Sequence, residues 1–352
     1  MKKFFSLLLC LAMALGAVGA LAESDSILIG VEIYDPTDQE FLAMQDYFDN
    51  YLAPAMNVSF MYSEAITDAD GEFAFIDNCA AAGCVAVIGY YNIAGVEAGY
   101  RTMDAGMYYI STGNQDIYEE LKNEDLYLCG ITYGENGDYA AGKAVGEALA
   151  NAGCKKVVFS NGGADFGVQM FIDRAAGFMD GIGDAEVITV SGFPGTDAFS
   201  SQQNSALTTE GVDGVATSFN ALSAWVQPVT AAGLDVPIAT IGAVTEEFVS
   251  AMEDGLIDCV VAANIERYGL LVAPIYQAVN GNEINAEDGS APLIEQPWLT
   301  FTDAETLGGY YALSASEHVY NAEEIMNCAT YEQLMALAGS YELADVQARH
   351  AA

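Results

Sequence analysis

The chain has 352 residues, with 10 Lys and Arg against 50 Asp and Glu and a formal net charge of −40. That balance excludes nucleic acid and anionic lipid surfaces as partners, because both require a basic face. With only His318 and His350 available, a histidine-built metal site is excluded and imidazole acid–base chemistry has almost nothing to work with.

Residues 1–22 open with Lys2 and Lys3, continue through the apolar run FFSLLLCLAMALGAVG, and close on Ala20-Leu21-Ala22. A basic start, an apolar middle and an A-x-A end predict a secretory signal cut after Ala22. Cys10 lies inside the apolar run behind Leu9, so the exported chain is expected not to be a lipoprotein and to be periplasmic or extracellular. Cleavage leaves eight basic residues and a charge of −42. Each remaining cation is therefore worth locating.

Apolar runs rich in Val and Ile come next, at 27–33, 58–62, 84–90, 107–112, 126–132, 156–160, 186–190, 213–218, 237–242 and 258–263. Between them lie segments with apolar residues three and four apart, at 39–52, 141–153 and 170–182. Alternating strands and helices predict parallel sheets covered on both faces, a doubly wound α/β protein. Ten strands exceed one comfortable sheet, so two Rossmann-like lobes are expected. The last fifty residues turn helical and acidic, with a frayed QARHAA end.

Residues 137–144, GDYAAGKA, match the phosphate-cradling pattern G-x-x-x-x-G-K-[ST] except at Ala144. Yet Gly142 and Lys143 fall inside a helical pattern that begins near Asn136, and no hydroxyl is available for Mg²⁺. The stretch is expected to be a helix lying close to its sheet, with no nucleotide as cofactor. Six cysteines come after the leader without a C-x-x-C pair or zinc spacing. Cys79 and Cys84 are near enough in sequence to pair. No G-x-S-x-G elbow and no Cys/His constellation marks a catalytic residue.

The order of elements resembles the type I periplasmic binding proteins of ABC transporters, in the ribose- and galactose-binding branch. The resemblance runs from about Ile27 to Thr300. ILIGVEIYDPTDQEFLAMQDYF is similar to that family's first strand, ligand loop and helix, and CAAAGCVAVIGYYN to the segment around its third strand. ITYGENGDYAAGKAVGEALANAG is similar to the first crossing and an alanine-rich helix, and GLIDCVVAANIERYGLLVAPIYQAVNG to the last strand, hinge and helix. FIDRAAGFMDGI matches its R-x-x-G-F helix through Arg174, Gly177 and Phe178. The resemblance implies lobe 1 from residues 23–131 plus 264–298, lobe 2 from 132–263 plus 299–325, and a helical tail at 326–352. Crossings are implied near Ile131–Gly134, Ala263–Asn264 and Trp298–Thr300.

Carried over residue by residue, the resemblance implies Arg174 forking onto ligand oxygens and Phe41 stacking on the ligand beside Asp38 or Gln39. It likewise implies Phe199 as a second aromatic wall. Acidic or amide positions of the sugar pattern fall at Gly113, Ala243 or Val244, and Ala263, with Asn114 and Asn264 beside the first and last. The pair expected at Ser218 reads through Phe219 to Asn220. About three hexose acceptors are thus missing, which implies a ligand less hydroxylated than a sugar, or an anion held by Arg174. Tyr34, Tyr90, Tyr91 and Asn92 follow strand ends, where such folds bind ligands. Trp225 reads as packing, and Arg267 as a surface or hinge ion pair.

The expected function is capture of a small polar solute, sugar or sugar-like, for a membrane permease, without catalysis. The alternatives are a ligand-sensing module for a chemoreceptor or sensor kinase, and a secreted α/β enzyme.

Overall fold

The structure is a computed structural model that describes residues 26–90 and 92–351. The expected leader at 1–22, with Cys10, and the candidate Tyr91 lie outside the described residues.

Two six-stranded sheets form. The first contains β1 (Ile27–Ile33), β2 (Val58–Ala65), β3 (Ala86–Gly89), β4 (Tyr108–Thr112), β5 (Tyr127–Thr132) and β11 (Leu293–Glu295), in the order β2-β1-β3-β4-β5-β11. The second contains β6 (Lys156–Ser160), β7 (Glu186–Val190), β8 (Gly214–Thr217), β9 (Ile238–Ala243), β10 (Cys259–Ala263) and β12 (Leu299–Phe301), in the order β7-β6-β8-β9-β10-β12. All pairings are parallel except β12 against β10. The ten long runs became the ten long strands. The two additional strands have three residues each, too few to show any periodicity. Both sheets reverse direction of winding beside their first strand, β1 or β6, and such a reversal opens a crevice at the carboxyl ends of the strands.

Helix α1 (Gln39–Asp46) comes directly after β1 and its loop. GDYAAGKA forms the first half of helix α2 (Gly137–Asn151). Gly142 and Lys143 are helix interior, so this stretch forms no phosphate loop. The small residues serve a different purpose. Helix α3 (Gln169–Ile182) crosses α2 so closely that a Cβ on Gly142 would lie 1.9 Å from the Arg174 carbonyl oxygen. Conversely, a Cβ on Gly177 would lie 1.9 Å from the Tyr139 carbonyl oxygen. Lys143 points outward to Asp180 at 2.9 Å.

Three segments cross between the sheets. Residues 133–136 leave β5 for α2, Asn264 leaves β10, and residues 296–298 join β11 to β12. The third crossing ends earlier than expected, because Leu299 and Thr300 already pair with β10. Arg267 is not a surface ion pair. It is 1 % exposed and donates from Nη2 to the Thr132 carbonyl at 2.7 Å and from Nη1 to the Gln296 carbonyl at 3.3 Å. It stands three residues after the second crossing, so one guanidinium ties all three together.

The C-terminal segment is docked where fraying was expected. Arg349, on the helix Leu343–His350, pairs with Glu324 and donates to the Val319 carbonyl at 2.6 Å. The six cysteines of the described residues are buried and free, Cys79 and Cys84 included. No helix among the described residues is long and apolar enough to cross a membrane.

Candidate functional site

The crevices of the two sheets face one another and enclose a cavity of about 480 Å³ between the lobes. From the first lobe come Asp38 and Glu40, at the start of α1 after β1. From the second come Arg174 on α3, Phe219 and Asn220 after β8, and Ala243 at the end of β9. Tyr133 and Trp298, from the first and third crossings, form the wall between them. A second space of about 540 Å³ lies on the other side of Tyr133 and is lined by Asn114, Asp116, Asp138 and Asp173. Both volumes suit a small molecule.

Asp38 is the N-cap of α1, its Oδ1 accepting the Phe41 N–H at 3.0 Å. That cap sets the rotation of the first helical turn. Glu40 turns to the cavity, while Phe41 turns into the core, 3 % exposed and edge-on to Tyr62 with 5.7 Å between ring centroids. Phe41, expected to stack on a ligand, is therefore core, and the cavity wall at this point is the Glu40 carboxylate. Phe199 repeats the geometry. Thr196 caps its helix by accepting the Phe199 N–H at 3.2 Å, and the ring is buried edge-on against Trp225. Phe248 after the cap Thr245 is buried in the same way. A phenylalanine three residues after a capping Asp or Thr faces the sheet, and that spacing was readable as core. Aromatic cover comes instead from Phe219, Tyr133 and Trp298.

Arg174 does line the cavity, but it arrives already engaged. Nε donates to Asp138 at 2.8 Å and Nη1 to the Ser218 carbonyl at 3.0 Å, leaving Nη2 without a partner among the described residues. Its guanidinium lies 5.3 Å from the Trp298 ring. Trp298 stacks on Tyr133 at 4.2 Å, and Arg267 lies 4.1 Å from the other face of Tyr133. The resulting column of Arg267, Tyr133, Trp298 and Arg174 runs from the hinge to the second lobe. Cation–π contacts of this kind are each worth roughly 0.5–2 kcal/mol.

Glu40 is half-buried as a residue, but its carboxyl end is enclosed. Burial first, and the Asp38 carboxylate second, push it up to about 7, against the pull of Arg174 and Arg267. Burial likewise raises Tyr90, Tyr133 and Tyr268, and Glu40 adds to each.

The remaining candidates divide. Asn220 lines the cavity, and its Oδ1 accepts the Leu222 N–H at 2.8 Å. Asn114 caps the helix Gln115–Leu121 and lines the second space. Asn264 is 3 % exposed, caps the turn after β10, and lines a small adjoining cavity with Glu40. Asn92 turns away from the cleft: Nδ2 donates to the Gly89 carbonyl at 2.9 Å, and Oδ1 accepts from the Tyr109 hydroxyl. Its loop is held by Glu72, whose Oε2 accepts the Ala94 N–H at 2.6 Å. Tyr34 is exposed and does not line the cavity. Trp225 is fully buried packing.

Solved structures share this arrangement. A solute-binding protein from Bacillus halodurans C-125, with bound myo-inositol, superposes with a TM-score of 0.63 at 22% identity, covering 83% of this chain and 99% of its own. A periplasmic solute-binding protein from Actinobacillus succinogenes 130z, with bound D-allose, gives 0.64 at 16% identity, over 80% and 99%. The chain has the type I periplasmic-binding-protein fold. An arabinose-transporter component from Shewanella sp. ANA-3, bound to L-arabinofuranose, gives 0.61 at 17% identity, over 85% and 98%. No protein-family model matches the sequence, and no curated protein does. Within a type I binding-protein fold, the cavity bounded by Asp38, Glu40 and Arg174 occupies the interlobe position.

Proposed function

We propose that this protein is an extracytoplasmic substrate-binding protein of an ABC importer that captures a small polar solute, sugar or sugar-like, by closing its two lobes. One observation carries the reading. The cavity is walled by the strand ends of both lobes and by two of the three crossings, so a hinge motion opens or seals it without disturbing either core. Structural neighbours crystallised with sugars or inositol support the solute class. The lobes of this reading are residues 23–131 with 264–298 and 132–263 with 299–325. Export with cleavage after Ala22, docking of the closed form on a permease, and absence of turnover belong to the same proposal.

The test is a thermal-shift screen of the mature chain against sugars, polyols and nucleosides, followed by small-angle scattering. A saturable hit should shrink the radius of gyration. A hit that leaves it unchanged defeats the hinge-trap reading. Arg174→Ala should then weaken that hit about 10- to 1,000-fold, since it removes Nη2 and frees Asp138 inside the cleft. It should also lower the melting temperature of the unliganded protein, because Arg174 holds the Ser218 carbonyl. Normal binding by Arg174→Ala would reduce that residue to a structural role.

A further inference from the structure

The charges around the cleft do not balance. Asp38, Glu40 and Asp138 face Arg174 and Arg267, three carboxylates against two guanidinium groups. Both guanidinium groups are already committed. Arg174 holds Asp138 and a carbonyl, while Arg267 holds two hinge carbonyls and lies against Tyr133. The neighbouring space adds Asp116 and Asp173 and no basic side chain. An anion, one of the ligands implied by Arg174 alone, would meet Asp38 and Glu40 directly across the cavity.

A neutral polyol leaves a different difficulty. Its hydroxyls can donate to Asp38 and Glu40, but they bring no charge to offset the enclosed Glu40 carboxyl and the exposed Asp38 carboxylate beside it. Glu40 is held near 7 by burial and by Asp38, so about half of it resists ionisation at neutral pH. A ligand ammonium would remove that conflict through a charge-assisted hydrogen bond. Two further donors stand beside the cavity. The Nδ2 of Asn264 and the Nε1 of Trp298 are buried donors without a partner among the described residues; Trp298 belongs to the cavity wall and Asn264 to the small adjoining cavity that shares Glu40.

We infer that the solute carries a protonated amine on a small polyhydroxylated frame, the chemistry of an amino sugar, with its ammonium held between Asp38 and Glu40. This rests on the reading of the cleft as a solute trap and narrows its ligand class. Oxygens of the same ligand accept from Arg174 Nη2 and, once the lobes close, from the orphaned donors of the hinge. The aromatic wall of Phe219, Tyr133 and Trp298 covers the apolar faces of the ring.

The experiment compares matched pairs by isothermal titration at pH 7.5: D-glucosamine with D-glucose, D-galactosamine with D-galactose, and each amine with its N-acetyl form. The amine of at least one pair should bind about 10- to 100-fold tighter than its hydroxyl and N-acetyl counterparts. Glu40→Gln is isosteric and Asp38→Asn keeps a competent N-cap, so both should fold. Each should weaken the amine far more than the neutral sugar, so that most of the amine's advantage is lost. If neutral sugars bind with lobe closure and the amines bind no better, the inference fails and the solute-trap reading stands. An amine preference that survives both substitutions also overturns it, since the ammonium then sits elsewhere. If neither class binds, the sugar-type trap falls and takes the inference with it.

Discussion

The α2–α3 crossing and the hinge column stabilise the same second lobe by opposite means. At the crossing, two helices approach so closely that glycines at 142 and 177 leave room only for backbone, and the partner atoms are carbonyl oxygens that cannot move. In the column, Arg267, Tyr133, Trp298 and Arg174 come from four separate stretches of chain and meet through flat faces and charge. The first arrangement tolerates no added atom. The second tolerates shape change but no loss of a donor. Under the proposed hinge motion, the second kind belongs where the chain bends and the first where it stays rigid.

Gly142→Ala should break that comparison most severely. Its methyl group meets backbone, so relief requires the helices to separate, at a cost of roughly 3–5 kcal/mol. The urea midpoint should fall accordingly, and a variant as stable as the parent would show that the two helices can part at little cost. Arg267→Met should cost about 2–5 kcal/mol, because the Thr132 and Gln296 carbonyls lose their buried donor. Arg267→Lys should recover less than half of it, since an ammonium cannot reach two carbonyls and stack as well. Full recovery by lysine would reduce the column to a point charge.

A smaller effect separates the hinge from the crossing by pH. Glu40 is faced by Asp38, Arg174 and Arg267 and by the hydroxyls of Tyr90, Tyr133 and Tyr268. Its carboxyl titrates at about 7 in the fold against an ordinary 4.5. A raised carboxylate favours the protonated folded form, so ionisation costs stability as pH climbs from 4.5 through 7. Below 4.5 both states are protonated and the cost vanishes. Relative to Glu40→Gln, the unliganded parent should therefore lose on the order of 1–2 kcal/mol between pH 4.5 and 8, discounting for solvent at the cleft mouth. Parallel melting curves for parent and variant across that range would place Glu40 in open water. The smallest expected effect is none at all. Mg·ATP at millimolar concentration should give no saturable heat with the parent or with Ala144→Ser, because the hydroxyl would be added to a helix and not to a loop.

The helix pair and the sheets were legible because their signals are local. Val- and Ile-rich runs of five to seven residues read as strands wherever they occur, and the small-residue spacing of AAGKAVGEALA reads as one close-packing helix face. The short strands at 293–295 and 299–301 carried no such signal, since three residues have no period. The site was half legible. Of the residues that the family resemblance implies, Asp38, Arg174 and Asn220 line the cavity. Phe41 and Phe199, implied as ligand walls by the resemblance, face the core because each stands three places after a capping residue, and a cap orients the helical turn that it starts.

By itself, the sequence determined the alternation of elements, two mostly parallel sheets and the helix at GDYAAGKA, because strand and helix periodicity are properties of neighbouring residues. Only the tertiary structure decided that Arg267 is buried at three crossings, that Glu40 and not Phe41 faces the interlobe cavity, and that Arg174 is already paired. The physical reason is common to all three. Each depends on burial and on partners distant in the chain, or on the angle at which a helix starts, and a side chain's charge state is set by the groups that close over it.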